Sequence, residues 1–157
     1  MPSLTEHPLL DRMVGRWLMR GTIARRSVVH DVEADWVLAH HYIRIHEVSR
    51  EKNTEGQPEY EAMVFIGWNN PGHYSCVWLD ILGGLSTLSI GAAVPGENEL
   101  PFVFRNEKGE VDLTNTFTYS PKGQAWEWKI DNVENGLPRE FARLRLTAVK
   151  PNGQERK

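Results

Sequence analysis

Past residue 16 the chain alternates apolar and polar positions with a period of two, and short polar turns interrupt the alternation at regular intervals. Alternate residues of a strand share a face. Trp17, Met19, Gly21 and Ile23 therefore lie on one side of the first strand, opposite Leu18, Arg20, Thr22 and Ala24. The pattern sharpens from Val28 to Leu38. Val32, Ala34, Trp36 and Leu38 face one way and Asp31, Glu33 and Asp35 the other, which predicts a half-buried strand with a solvated side. Residues 40–50 form the next strand. Turn signals then recur at 53–56, 69–72, 83–84, 95–96, 108–109, 120–123 and 135–138. The segments between them (59–68, 73–82, 85–94, 100–105, 110–119, 124–132 and 139–149) are mostly rich in Val, Ile, Thr and aromatics. Such even spacing predicts an all-β protein.

About ten strands joined by hairpin-length loops predict a single antiparallel up-and-down barrel over residues 16–149, because closure removes exposed sheet edges. An eight-stranded barrel nearly fills its own interior, whereas a wider one leaves room for a ligand. Cavity binding is the function this fold predicts. Before residue 16 the period is helical. Leu9, Leu10, Met13 and Val14 make one stripe, Thr5 is placed as N-cap, Pro8 falls in the first turn and Gly15 ends the segment. The expectation is a capping helix at 5–14, a barrel at 16–149 and a frayed tail at 150–157, all in one domain.

Bulk properties narrow the partners. The net charge of −3 on 157 residues makes no electrostatic case for nucleic acid or an anionic membrane. The single cysteine, Cys76, excludes an internal disulfide and fits a reducing compartment. The first residues lack a basic start and an apolar run, and no apolar stretch reaches the ~20 residues of a membrane helix. The expectation is a soluble cytoplasmic protein.

Two strands carry the candidate chemistry. In residues 74–80, Tyr74, Cys76, Trp78 and Asp80 share a face. Asp80 reads either as a cavity acid, its pKa raised by burial beside Trp78, or as a turn residue accepting N–H bonds from the Ile81-Leu82-Gly83-Gly84 segment. Cys76 reads as a small core residue. In residues 40–50, Tyr42, Arg44 and His46 share one face and His41, Ile43, Ile45 and Glu47 the other. With the polar set inward, a phenol, a guanidinium and an imidazole line one wall, and Arg44 pairs with a carboxylate or enolate ligand. With the Ile pair inward, the same residues are solvated. Six tryptophans are many for this length. Trp36, Trp78, Phe102, Phe104, Phe117, Trp126 and Trp128 are expected along the inner wall, with Asn115 and Tyr119 on the face of Phe117. His30, His40, His41, His46 and His73 lack a metal-ligand spacing, so no metal site is expected.

A short helix followed by Gly15-Arg16-Trp17 resembles the calycin superfamily of lipocalins, fatty-acid-binding proteins and nitrobindins. The resemblance implies that Trp17 closes the barrel floor beneath an Arg of the final strand, supplied by Arg143 or Arg145. A more specific resemblance is to a bacterial domain-of-unknown-function family with a lipocalin-like barrel. It rests on Gly67-Trp68-Asn69-Asn70 with Tyr74 and Trp78-Leu79-Asp80, on Trp36-Val37-Leu38 with Tyr42, and on Arg139-Glu140-Phe141 through Leu146-Thr147. Trp68 stands where that family has Tyr, and Asn69 where it has Asp. That family implies a fold and no reaction. The nitrobindin branch holds haem through a His near the end of its barrel. This chain has no His after His73, so neither haem nor another cofactor is expected.

The leading expectation is therefore binding of a small, mostly apolar molecule in the barrel, one with an anionic group where Arg44 faces inward. Trp36, Tyr42, Arg44, His46, Trp78, Asp80, Asn115, Phe117, Tyr119, Trp126 and Trp128 are its candidate contacts. The alternative is a cofactor-free lyase, isomerase or cyclase with Asp80 or His46 as acid–base. A third reading is an interaction module that forms a homodimer through an outer sheet face.

Overall fold

The computed structural model of the protein describes residues 8–69 and 72–150. The short helix α1 (Pro8–Asp11) leads into ten strands: β1 (Gly15–Ile23), β2 (Arg26–Val37), β3 (Tyr42–Ser49), β4 (Glu61–Asn69), β5 (His73–Asp80), β6 (Ile90–Ala93), β7 (Glu99–Arg105), β8 (Val111–Ser120), β9 (Ala125–Glu134) and β10 (Leu137–Ala148). Each strand pairs antiparallel with its neighbours in sequence, and β1 pairs with β10 to close the barrel. The fold is all-β, as the alternation predicts.

Two elements differ from expectation. The helix is described from residue 8 and ends at Asp11; Thr5, the expected N-cap, lies outside the described residues. Met13 and Val14 continue it only as a turn, their N–H groups donating to the carbonyls of Leu10 and Asp11. In the expected strand 85–94, only Ile90–Ala93 pairs with β5. The residues before it fold into a 3-10 turn at Thr87–Ser89, where Ser86 and Ser89 exchange side-chain and backbone hydrogen bonds. Local serine capping satisfies backbone groups that a ladder would otherwise use.

The interior is divided into two halves. At the helix end a buried cluster fills it. Leu9, Leu10 and Met13 join Trp17, Phe102, Phe117, Trp126 and Trp128 in one buried cluster. Indole N–H groups from three strands hold the helical segment in place. Trp17 Nε1 donates to the Met13 carbonyl (2.8 Å), Trp126 Nε1 to the Arg12 carbonyl (3.1 Å) and Trp36 Nε1 to Asp11 Oδ1 (2.9 Å). Arg12 lies over the Tyr119 ring, 5.1 Å from its centroid.

Trp17 does lie at the closed end, yet neither candidate arginine lies over it. Strand parity is the reason. Ala142, Leu144 and Leu146 take the buried positions of β10, which turns Arg143 and Arg145 outward. Arg143 pairs with Asp131 (2.8 Å) and Glu140 (3.4 Å), and Arg145 with Glu127 (3.2 Å). The strand residue opposite Trp17 is Ala148.

At the other end several inward positions are small. Gly21, Ser49, Ala62 and Ala142 occupy them, and Gly21 admits no side chain. A Cβ there would fall 1.9 Å from the Arg143 carbonyl oxygen on β10. Trp17→Ala should cost about 3–5 kcal/mol in denaturant unfolding, because it empties the packed end and orphans the Met13 carbonyl. A loss below about 1 kcal/mol would show that Trp17 does not anchor that end.

Candidate functional site

The small inward residues leave a cavity of about 720 Å³ at the open end of the barrel. Its two sides differ in chemistry. Ile23, Val28, Ile130, Phe141 and Leu144, from β1, β2, β9 and β10, make an apolar wall. The ladder between β9 and β10 shifts register between Glu140 and Ala142. The extra residue of that bulge is Phe141, which lines the cavity.

The facing wall is polar and comes from four consecutive strand positions in the ring, β2 to β5. His30 of β2 and Glu47 of β3 form a hydrogen-bonded pair, Nδ1 to Oε2 at 2.5 Å, with each side chain 3% exposed. Tyr60, at the entry to β4, stacks on His30 with ring centroids 5.8 Å apart. Its hydroxyl donates to Asp80 Oδ2 (3.1 Å) and accepts from Trp78 Nε1 (3.2 Å). Burial, reinforced by the charge of Glu47, holds the Tyr60 phenol well above its ordinary pKa, so it stays protonated and remains a donor. Ala62 lies in register with both Glu47 and Asp80, so its small side chain separates the two carboxylates.

Asp80 accepts hydrogen bonds both from the turn and at the cavity. Oδ1 accepts the Leu82 N–H across the turn (2.9 Å), and Oδ2 receives the Tyr60 hydroxyl at the cavity. Trp78 lines the cavity and meets Trp128 edge to face, at 6.2 Å, on the packed side. Cys76, one turn of the alternation deeper, is buried in the core cluster, and burial pushes its thiol up to about 12.

The other expected contacts separate into two groups. Tyr42, Arg44 and His46 lie on the outer face of β3, because Ile43 and Ile45 occupy its buried positions. Arg44 pairs with Asp35 (3.0 Å), His46 with Glu61 (2.6 Å), and Tyr42 packs over Gly67. The inward imidazole and guanidinium expected on that strand are thus absent from the cavity wall. Trp36, Phe117, Tyr119, Trp126 and Trp128 belong to the packed half: Trp36 stacks on His40, Phe117 on Trp128, and Tyr119 meets Trp126. Asn115 is buried there too, its Oδ1 without a hydrogen-bond partner, like Trp128 Nε1. None of these lines the cavity.

The expected site shares only Trp78 and Asp80 with this cavity; it omits the whole apolar wall and, on the polar wall, His30, Glu47 and Tyr60. The signal for them was parity alone. His30 lies in phase with Val28, Val32 and Ala34, Glu47 with Ile43 and Ile45, and Tyr60 with Ala62, Val64 and Ile66.

Around the mouth the cations are paired with carboxylates. Arg26 approaches Glu51 (3.7 Å) and Glu59 (4.0 Å), and Arg50 makes a fork to Asp31 (2.9 and 3.1 Å). The β5–β6 loop exposes Ile81 and Leu82 beside them.

No family model matches the chain, and no curated protein is significantly similar to it. Among solved structures, the chain is similar to a redesigned β-barrel, at 7% identity over 90% of this chain and 96% of that one, with a TM-score of 0.44.

The His30–Glu47 pair makes a double prediction for stability. Glu47→Ala should cost about 1–3 kcal/mol, since it leaves a buried imidazole without its acceptor. The double variant His30→Phe/Glu47→Leu should recover most of that loss. Equal losses for the single and double variants in urea unfolding would mean that the pair itself holds this end of the barrel together.

Proposed function

We propose that the protein binds a small, mostly apolar molecule in the open-end cavity, with its polar group against His30, Tyr60 and Asp80. The observation that carries this reading is the division of one cavity into an apolar wall and a hydrogen-bonding wall. A cavity of about 720 Å³ is within the range of small-molecule sites. The reading fits a calycin-like barrel, the fold that the helix and Gly15-Arg16-Trp17 resemble.

The ligand is neutral rather than anionic. Arg44, the expected anion partner, is held by Asp35 on the outer surface. The inner wall instead carries the carboxyl groups of Glu47 and Asp80, which are engaged by His30 and Tyr60 and offer a ligand no cationic partner. A ligand carbonyl, hydroxyl or amide suits the donors and acceptors there.

Native mass spectrometry of the protein purified from its source should show a retained small molecule. The uncharged dye Nile red should bind the ligand-free protein. Val28→Trp, which fills the cavity from the apolar wall, should weaken that binding by about tenfold or more. Arg44→Ala should leave it unchanged. Dye binding that survives Val28→Trp would place the site elsewhere and overturn this reading.

A further inference from the structure

We infer that the polar wall is an acid–base site, with His30 as a general base that removes a proton from carbon next to a ligand carbonyl. The inference rests on the cavity being a ligand site. Its substrate class is an apolar, enolisable ketone.

The geometry supplies each part that such a reaction needs. Glu47 takes the Nδ1 side of the His30 ring, leaving Nε2 as the nitrogen for a ligand. A carboxylate on Nδ1 fixes the ring orientation and stabilises the imidazolium that forms when Nε2 takes a proton. Tyr60 lies across the face of the same imidazole, so one ligand can meet both groups. Its hydroxyl hydrogen points to Asp80 and can turn about the C–O bond to a ligand oxygen, while Trp78 Nε1 continues to donate to the phenolic oxygen. The raised pKa of the phenol keeps that hydrogen in place for the developing negative charge. Glu47 is a positioning residue, since it acts through the ring. The outward His46 does not compete for the role, because it is bound to Glu61 on the other side of the sheet.

The step balances without a co-reactant. His30 Nε2 takes the proton, and the C–H electron pair becomes the carbon–carbon double bond of an enolate. The carbonyl π pair moves onto oxygen, which Tyr60 holds. The imidazolium then returns the proton. Return to the same carbon exchanges hydrogen with solvent; return to the far carbon of a conjugated enolate moves a double bond. Nothing is oxidised or reduced.

The test uses 2-tetralone and 3-cyclohexen-1-one in deuterium oxide. Proton NMR follows deuterium entering the carbon next to the carbonyl, and displacement of Nile red reports binding separately. The protein should accelerate exchange by roughly 10²–10⁴-fold over an equal concentration of free imidazole. Glu47→Gln should lower kcat by about tenfold or more with little change in KM, and Tyr60→Phe should do likewise. His30→Ala should abolish exchange, and added imidazole should restore part of it, which a merely structural histidine would not allow. Where His30→Ala does not fold, the kcat losses of Glu47→Gln and Tyr60→Phe decide the matter. Ketones that displace the dye yet exchange no faster than the imidazole control would overturn the acid–base inference and leave ligand binding standing. Failure of both ketones to displace a dye that does bind would overturn the ketone assignment. Failure of the dye itself to bind would count against the cavity as a ligand site.

Discussion

A ring of ten strands encloses more volume than a single layer of inward side chains fills, and the organisation of this protein follows from how that volume is shared. At one end it is filled from outside the sheet. The helical segment brings in Leu9, Leu10 and Met13, and the indoles of Trp17, Trp36 and Trp126 satisfy their N–H groups on that segment. Each tryptophan thus contributes apolar area and a directional bond to the same closure. At the other end no helix among the described residues enters the barrel. There the seam between β1 and β10 is drawn so close that the backbone of β10 occupies the place of a side chain at residue 21. Small residues on the neighbouring strands then leave a cavity rather than a core.

Within that cavity the His30–Glu47 pair is hard to explain by packing. Two ionisable groups buried to 3% side-chain exposure cost desolvation that a well-packed apolar pair would avoid. The outer face shows where this chain places charges with little cost. Arg44 with Asp35, His46 with Glu61, Arg143 with Asp131 and Arg145 with Glu127 are part-exposed pairs between adjacent strands. Such pairs hold register and contribute little stability. Placing histidine and glutamate inside, in reach of a phenol and a second carboxylate, is a different arrangement, and it is confined to the wall that faces open volume.

Alternation made the barrel legible because parity assigns every residue of a strand at once. It left undecided which parity faces in, and on β3 that choice settled the site. Tyr42, Arg44 and His46 look chemical together, but Ile43 and Ile45 gain more from burial than they do. Glu47 travels inward with the isoleucines, two residues apart each time. The polar face of β3 draws the eye as a set, yet the one acid on its apolar face is the residue that reaches the cavity. His30 was hidden in the same way among valines. Tyr60 was harder to see, since it stands before β4 and depends on Ser49 for its backbone bonds. For Arg143 and Arg145, local sequence alone does not say which side of the last strand will face the core; Ala142, Leu144 and Leu146 decide it.

Trp78 and Asp80 line the cavity at the end of β5, where the sheet is incomplete. The ladder between β5 and β6 ends at Val77, so Trp78, Leu79 and Asp80 are paired on the β4 side only. Beyond it the 3-10 turn packs beside β5 and β7, and a smaller cavity of about 210 Å³ is lined by Trp78, Asp80, Gly83, Gly84 and Ser89. Trp78 and Asp80 therefore form a partition between two spaces. The Leu82 N–H braces Asp80 from the loop side while Tyr60 engages it from the cavity side. A change in the loop that moves Leu82 must therefore act on the same carboxyl group that accepts the Tyr60 hydrogen bond. The turn role and the cavity role of Asp80 are one coupled arrangement, in which the backbone fixes the acid and the acid orients the phenol.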